Sequence, residues 1–227
     1  MMNLLLMSDT TSSLDVEKQF FHELPLKPKS LSYLPANIEK NLKEFKKISM
    51  HFEKLDVEEF HYCPLHQGNP EIILESIFQS DLLYFSGGEV TTFLKTLQKI
   101  GLFQALKDKI QNIVIIGVSA GAMVLGKDIS SISKDPHEME IYKTLSSDLG
   151  AGLYPFEFFP HFDPRPNMIN GLKLRSKFLG EKSNRSIVAV DEKSGIAINS
   201  KRTFVYGQAH LFKKERYSRF DNTRLPF

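Results

Sequence analysis

Residues 113–126 read IVIIGVSAGAMVLG, and no other stretch restricts so tightly what the chain can fold into. An apolar strand runs straight into Gly117-Val118-Ser119-Ala120-Gly121, and a helix-compatible run of small residues follows. This is G-x-S-x-G in the context its chemistry requires, strand before and helix after. Such a sharp turn holds the serine in a strained backbone conformation, and neighbours with large side chains would clash. Gly117, Ala120 and Gly121 leave the room. The turn also sets Ser119 at a helix N-terminus, where unpaired N–H groups and the helix dipole favour negative charge. Ser119 is therefore a candidate nucleophile, and the Ala120 N–H a candidate oxyanion donor. The same glycines would also suit a merely close-packed turn or a phosphate loop. The G-x-x-x-x-G-K-[ST] pattern of the latter is missing.

Around this turn, short apolar runs alternate with longer amphipathic stretches, the pattern of an α/β sheet. Expected strands are Leu4–Met7, Leu31–Leu34 (closed by Pro35), Val57–Tyr62, Leu82–Phe85 and Ile113–Gly117. Apolar residues at 38, 42, 45, 48, 52 and 55 predict a helix over Ile38–Leu55. Ser12–Glu23 reads as polar loop or weak helix, and Pro70–Gln79 as a short helix. A helical stretch over Thr92–Lys109 follows the Ser86-Gly87-Gly88 turn, and another begins at Ala120–Leu125. Lys127–Gly150 reads as a long loop with a partial helix. Ser186–Val190, Gly195–Asn199 and Thr203–Gly207 read as short strands of a meander or hairpin. With no repeat, low-complexity segment or linker, the expectation is one domain over 1–227.

Composition narrows the function classes. A formal net charge of +2 advertises neither nucleic acid nor an anionic membrane as partner. The one cysteine, Cys63, excludes an internal disulfide framework and fits a reducing compartment; it has no basic neighbour in sequence and reads as structural. MMNLLLMSDT lacks the basic start and cleavage site of a signal peptide. No stretch approaches the roughly 20 apolar residues of a membrane span. A cytoplasmic, soluble protein is expected.

Several segments together resemble the peptidase E family (serine peptidase family S51, with aspartyl dipeptidase and cyanophycinase), a branch of the class I glutamine amidotransferase-like fold. They are LLLMSD, SLSYLPA, SDLLYFSGGEVTTFL, IIGVSAGAMVLG, LYPFEFFPHFD and IVAVDEKSGIAI, and the resemblance built on their order and spacing extends over most of the chain. The resemblance implies a flavodoxin-like, doubly wound, mostly parallel sheet with helices on both faces. It also implies a Ser–His–Glu triad, with no metal and no organic cofactor. Residue by residue, Ser119 of GVSAG falls on the nucleophile, His161 of PHF on the general base, and Glu192 of VDEKSG on the acid that orients the histidine. Gly88 and Ala120 fall on the oxyanion donors. Glutamine amidotransferases proper carry cysteine where this elbow carries serine.

The residues themselves leave more open. Of seven histidines, His161 follows a candidate strand and an aromatic–proline run, Phe156, Phe158, Phe159 and Pro160. His22, His51, His61 and His66 lie on apparent surface helix or strand ends, His137 in a polar loop and His210 in a late strand. The acid has three candidates: Glu192 by the family motif, Asp163 where the glutamine amidotransferases place theirs, and Asp135 by the chain order of α/β-hydrolases. The family commonly has asparagine after the glycine pair, whereas this chain has Glu89. A carboxylate pointing into an oxyanion hole would oppose developing negative charge, unless it pointed away or met a substrate ammonium. Arg175, 14 residues after His161, falls near an arginine that the aspartyl dipeptidases use for acidic side chains, and reads equally well as a solvated helix arginine. The expected activity is cleavage of small peptides through a Ser119 acyl-enzyme. A serine esterase or amidase, and an inactive binding protein on the same scaffold, remain the alternatives.

Overall fold

The computed structural model describes residues 2–10, 14–109, 113–127, 129, 150–183 and 185–227, with side chains left aside at 178–183. Five strands, β1 (Asn3–Met7), β2 (Ser30–Leu34), β3 (Glu59–Tyr62), β4 (Leu82–Phe85) and β5 (Val114–Val118), pair in parallel in the order β3-β2-β4-β5-β1. The side chains of β1, β2, β4 and β5 alternate between two buried faces, as a sheet covered on both sides requires, whereas edge strand β3 is only partly covered. Leu5 and Met7 of β1 pack with Val16, Phe20, Ile48 and Phe52 of α1 (Leu14–Glu23) and α2 (Lys43–Glu53). Leu4 and Leu6 face the other way, into a cluster with α3 (Pro70–Ile77), α4 (Val90–Lys99), α5 (Leu102–Lys109) and α6 (Ala120–Val124). The sheet is doubly wound, mostly parallel and flavodoxin-like, as expected.

Two expected helices are shorter than their periodicity predicts. The stretch from Ile38 winds only from Lys43 onward, because the Glu39 carboxylate folds back to accept the N–H groups of Glu44 and Phe45, 3.1 Å each. Leu42 turns left-handed at φ 52° to allow this. The stretch over 92–109 is two helices, α4 and α5, separated at Gly101, whose φ of +73° is the left-handed helix stop that glycine provides without strain.

After the parallel strands the chain splits its β structure. β8 (Gly195–Asn199) and β9 (Thr203–Tyr206) form an antiparallel hairpin on the β1 edge, completing a seven-stranded sheet. β6 (Glu157–Phe159), β7 (Ile187–Val190), β10 (Gln208–Lys213) and β11 (Arg216–Asp221) form a second sheet in the order β11-β10-β7-β6. So the expected late meander is divided: its first strand belongs to the second sheet and the other two to the first. Helix α7 (Pro166–Ser183) covers the second sheet through Leu172, against Phe159, Phe162, Ile187 and Phe212. Asp135, His137 and nearly all of the expected loop over 127–150 lie outside the described residues.

A buried carboxyl–imidazole contact links α1 to α2. Glu17 is fully buried and contacts the His51 ring, itself only 11% exposed; His51 is thus not the surface residue its position in sequence suggests. Burial pushes the Glu17 carboxyl up to about 7, against the pull of His51.

Candidate active site

Strand order reverses direction between β2 and β4, the kind of switch point at which doubly wound sheets open a crevice beyond their carboxyl ends. The residues just past β1, β4 and β5 meet there. Val118 closes β5, and Ser119 follows at φ 50°, ψ −114°, a conformation L-residues rarely adopt. The turn is fixed sterically. A Cβ on Gly121 would lie 2.1 Å from the Phe85 carbonyl oxygen, and one on Gly117 2.7 Å from the Ala122 Cα. Neither position can carry a side chain without moving backbone. The Ser119 N–H donates to the Met7 carbonyl of β1 at 2.8 Å, which ties the turn to the next strand.

Ser119 Oγ lies 2.8 Å from His161 Nε2, and His161 Nδ1 lies 2.7 Å from Glu192 Oε1. A carboxylate accepts only, so it selects the tautomer with the proton on Nδ1 and leaves Nε2 free to accept from the serine hydroxyl. Both arms come from the second sheet. His161 follows β6 and Glu192 follows β7, which pair in parallel. His161 is itself left-handed at φ 55°. The two side chains are half-exposed, 49% and 50%. Asp163, the alternative acid, is engaged by Arg165 at 2.8 Å instead.

Ala120 is the first residue of α6, so its N–H has no partner within the helix. Gly88, at φ +152°, packs so closely that a Cβ would lie 2.7 Å from the Asn37 amide nitrogen and 2.8 Å from Ala36. Gly88, Ala120, Ser119 and His161 together line a cavity of about 270 Å³ with Val90, Met123 and Phe159. A second cavity, about 370 Å³, is also lined by Ser119, Gly88 and His161. Its wall is Tyr33, Tyr84 and Ile48, with Asp9, Glu44 and Lys47 also lining it. Tyr33 and Tyr84 stack at 5.5 Å, and the Tyr84 hydroxyl is 2.6 Å from Thr10 Oγ1.

Two residues singled out in the sequence are not brought to this centre. Glu89 caps α4: its carboxylate accepts from the N–H groups of Thr91 (2.9 Å) and Thr92 (2.6 Å). Partial burial works against the charge, but these hydrogen bonds hold the carboxyl below its ordinary value. Asparagine accepts helix N–H groups in the same way, so the departure from the family pattern leaves the cap in place. The carboxylate serves as this cap and is not among the residues that line either cavity. Arg175 stands on α7 and lines neither cavity. Ser8, just past β1, is the contributor that sequence reasoning missed. Its hydroxyl accepts the His161 N–H and donates to the Val190 carbonyl, 3.0 Å each.

A serine on a strained strand–helix elbow, facing a histidine–carboxylate pair at the carboxyl edge of a doubly wound sheet, defines a class of α/β hydrolytic scaffolds. The sequence model of peptidase family S51 matches residues 4–205, and the chain belongs to that family, hence to the serine peptidases. Two solved structures share the fold: a peptidase from an acI-B1 Actinobacterium (TM-score 0.72, 22% identity, covering 99% of this chain and 96% of that one) and a putative peptidase E protein from Listeria monocytogenes EGD-e (TM-score 0.67, 19% identity, 90% and 98%). The chain is also 39% identical over 84 residues to the pyridoxal 5'-phosphate synthase subunit PdxT of Fervidobacterium nodosum, a match spanning 37% of this chain and 44% of that protein. Among the described residues, no helix is long and apolar enough to cross a membrane.

Proposed function

We propose that the protein hydrolyses short peptides through an acyl-enzyme on Ser119. The observation that carries this reading is the unbroken line from Ser119 Oγ through the His161 ring to Glu192. In the proposed reaction the hydroxyl attacks the scissile carbonyl while His161 Nε2 takes its proton. The developing oxyanion is met by the N–H groups of Ala120 and Gly88, and Glu192 stabilises the imidazolium. His161 then returns the proton to the leaving amine. Water, activated by the same nitrogen, releases the acyl group.

The sizes of the two cavities lined by Ser119, about 370 and 270 Å³, support a small substrate. One would hold the acyl side and the other the leaving group. The test combines fluorophosphonate labelling with a panel of di- and tripeptides assayed for release of free amine. Labelling at Ser119 together with turnover of peptides supports the reading. Labelling without turnover of any peptide, but with hydrolysis of simple esters or amides, would move the activity to a non-peptide acyl substrate.

A further inference from the structure

We propose that Ser8 is a positioning residue for this reaction: its hydroxyl holds the histidine and carboxylate arms in register with the nucleophile. The proposal rests on reading Ser119, His161 and Glu192 as nucleophile, base and orienting acid.

Ser8 is 1% exposed and directly follows β1. A hydroxyl has one proton to give and lone pairs to receive, and here both capacities are used. It donates to the Val190 carbonyl at 3.0 Å and accepts the His161 N–H at 3.0 Å. Its predecessor Met7 accepts the Ser119 N–H at 2.8 Å. The dipeptide Met7–Ser8 therefore takes the backbone N–H of both non-glycine residues that stand at positive φ in the site, Ser119 at 50° and His161 at 55°. Such conformations persist only where the surroundings over-determine them. For Ser119 the packed glycines share that work. For His161 the Ser8 hydroxyl is the contact that fixes the N–H of the strained residue itself.

The other end of the same hydroxyl reaches the acid. Val190 is the last residue of β7, two before Glu192, and its carbonyl also accepts the Phe162 N–H at 3.0 Å. One buried oxygen thus joins the end of β1, the turn that carries His161 and the strand that delivers Glu192. Because the His161 and Glu192 side chains are half-exposed, packing alone does not lock them, and their alignment depends on the backbone beneath. Misplacement of a reacting group by about 1 Å can cost on the order of 100-fold in rate.

The test follows inactivation of the full-length protein by a fluorophosphonate, resolved into a maximal rate constant and a half-saturating concentration. Ser8→Ala and Ser8→Cys lose or weaken the hydroxyl's hydrogen bonds, Cys with little change in volume; Ser8→Thr keeps them. The expected result is a maximal rate lowered about 10- to 100-fold in Ser8→Ala and Ser8→Cys, with half-saturation within about twofold and recovery in Ser8→Thr. A residue that only stabilises the fold would lower the melting temperature and leave the maximal rate of the folded protein unchanged. Wild-type maximal rates in both hydroxyl-free variants overturn the proposal, and Ser8→Cys decides alone if Ser8→Ala does not fold. His161→Ala, run alongside, separates the two ideas. If it reacts at the wild-type rate, the underlying reading has failed; if it is inert while Ser8→Ala is fully active, only the role of Ser8 has.

Discussion

The turn that carries Ser119 and the turn that carries His161 both hold a non-glycine residue at positive φ, 50° and 55°, yet they are built differently. The first is made by steric exclusion from close neighbours in sequence. Gly117 and Gly121 bracket the serine, and each has backbone where a Cβ would go. The second has no glycine beside it. It is held by hydrogen bonds from far along the chain, with the Ser8 contact spanning 153 positions. A sterically excluded turn tolerates no added atom, whereas a hydrogen-bonded one can survive the loss of an atom at some cost in precision. Ser119 is thus set by shape, and His161 by polar contacts.

The sharpest way to break this comparison is at its centre. Ser119→Ala should reduce fluorophosphonate labelling to background, with the melting temperature close to wild type, since alanine meets the same backbone constraint as serine. The loss in turnover should be on the order of 10⁴-fold or more, and labelling that persisted would move the chemistry to another residue. Next in size is Gly121→Ala, whose methyl has no space against the Phe85 backbone. We expect destabilisation of about 4 kcal/mol or more, or outright failure to fold, seen in thermal melts. An unchanged melt would show that the elbow is not sterically fixed.

On the other arm, Glu192→Gln should lower turnover about 10- to 1,000-fold, less than a fully buried acid would, because Glu192 is half-exposed. Asp163→Asn should stay within about twofold, since Asp163 is engaged by Arg165. The reverse ranking would reassign the acid. The smallest effect expected is at Glu89. Glu89→Ala should cost about 1 kcal/mol, a melting shift of a few degrees, with kinetic constants unchanged. Hydrogen bonds from Thr92 and Thr91 keep this carboxyl below its ordinary value. Its contribution is therefore complete above the ordinary carboxylate range and fades as pH falls through the lowered value. Melts of wild type and variant should converge in acid; a gap that persisted there would mean that the lost group acts by something other than its charge.

The same contrast decides what could be read from sequence. The elbow was legible because Gly117, Ser119 and Gly121 stand together on the chain, and the parallel sheet because its strands are apolar on both faces. His161 and Glu192 stood out only through family resemblance. Their contacts run over 42 and 31 positions, and no local pattern marks a histidine that will meet a distant serine. Ser8 gave no signal at all, being one serine at the end of a strand. Glu89 gave a signal read without its plainest meaning, since an acceptor directly before a helix is first of all a cap. The β10–β11 hairpin went unseen because its turn places Lys214 and Glu215 at positive φ, where Asn-Gly or Asp-Gly would have announced it.

The position of β1 between β5 and β8 has a consequence in time. This strand precedes both its partners, at residues 114–118 and 195–199, so its four apolar residues, Leu4 to Met7, are enclosed only once residues 195–199 exist. Pairing over such distances is slow to nucleate. The elbow can be translated long before β1 is enclosed, but Ser8 and Val190, 182 positions apart, cannot meet until then. On the proposed mechanism a chain that stops short of His161 has the elbow but no base, and the appearance of hydrolytic activity would report that β1 has been enclosed between β5 and β8.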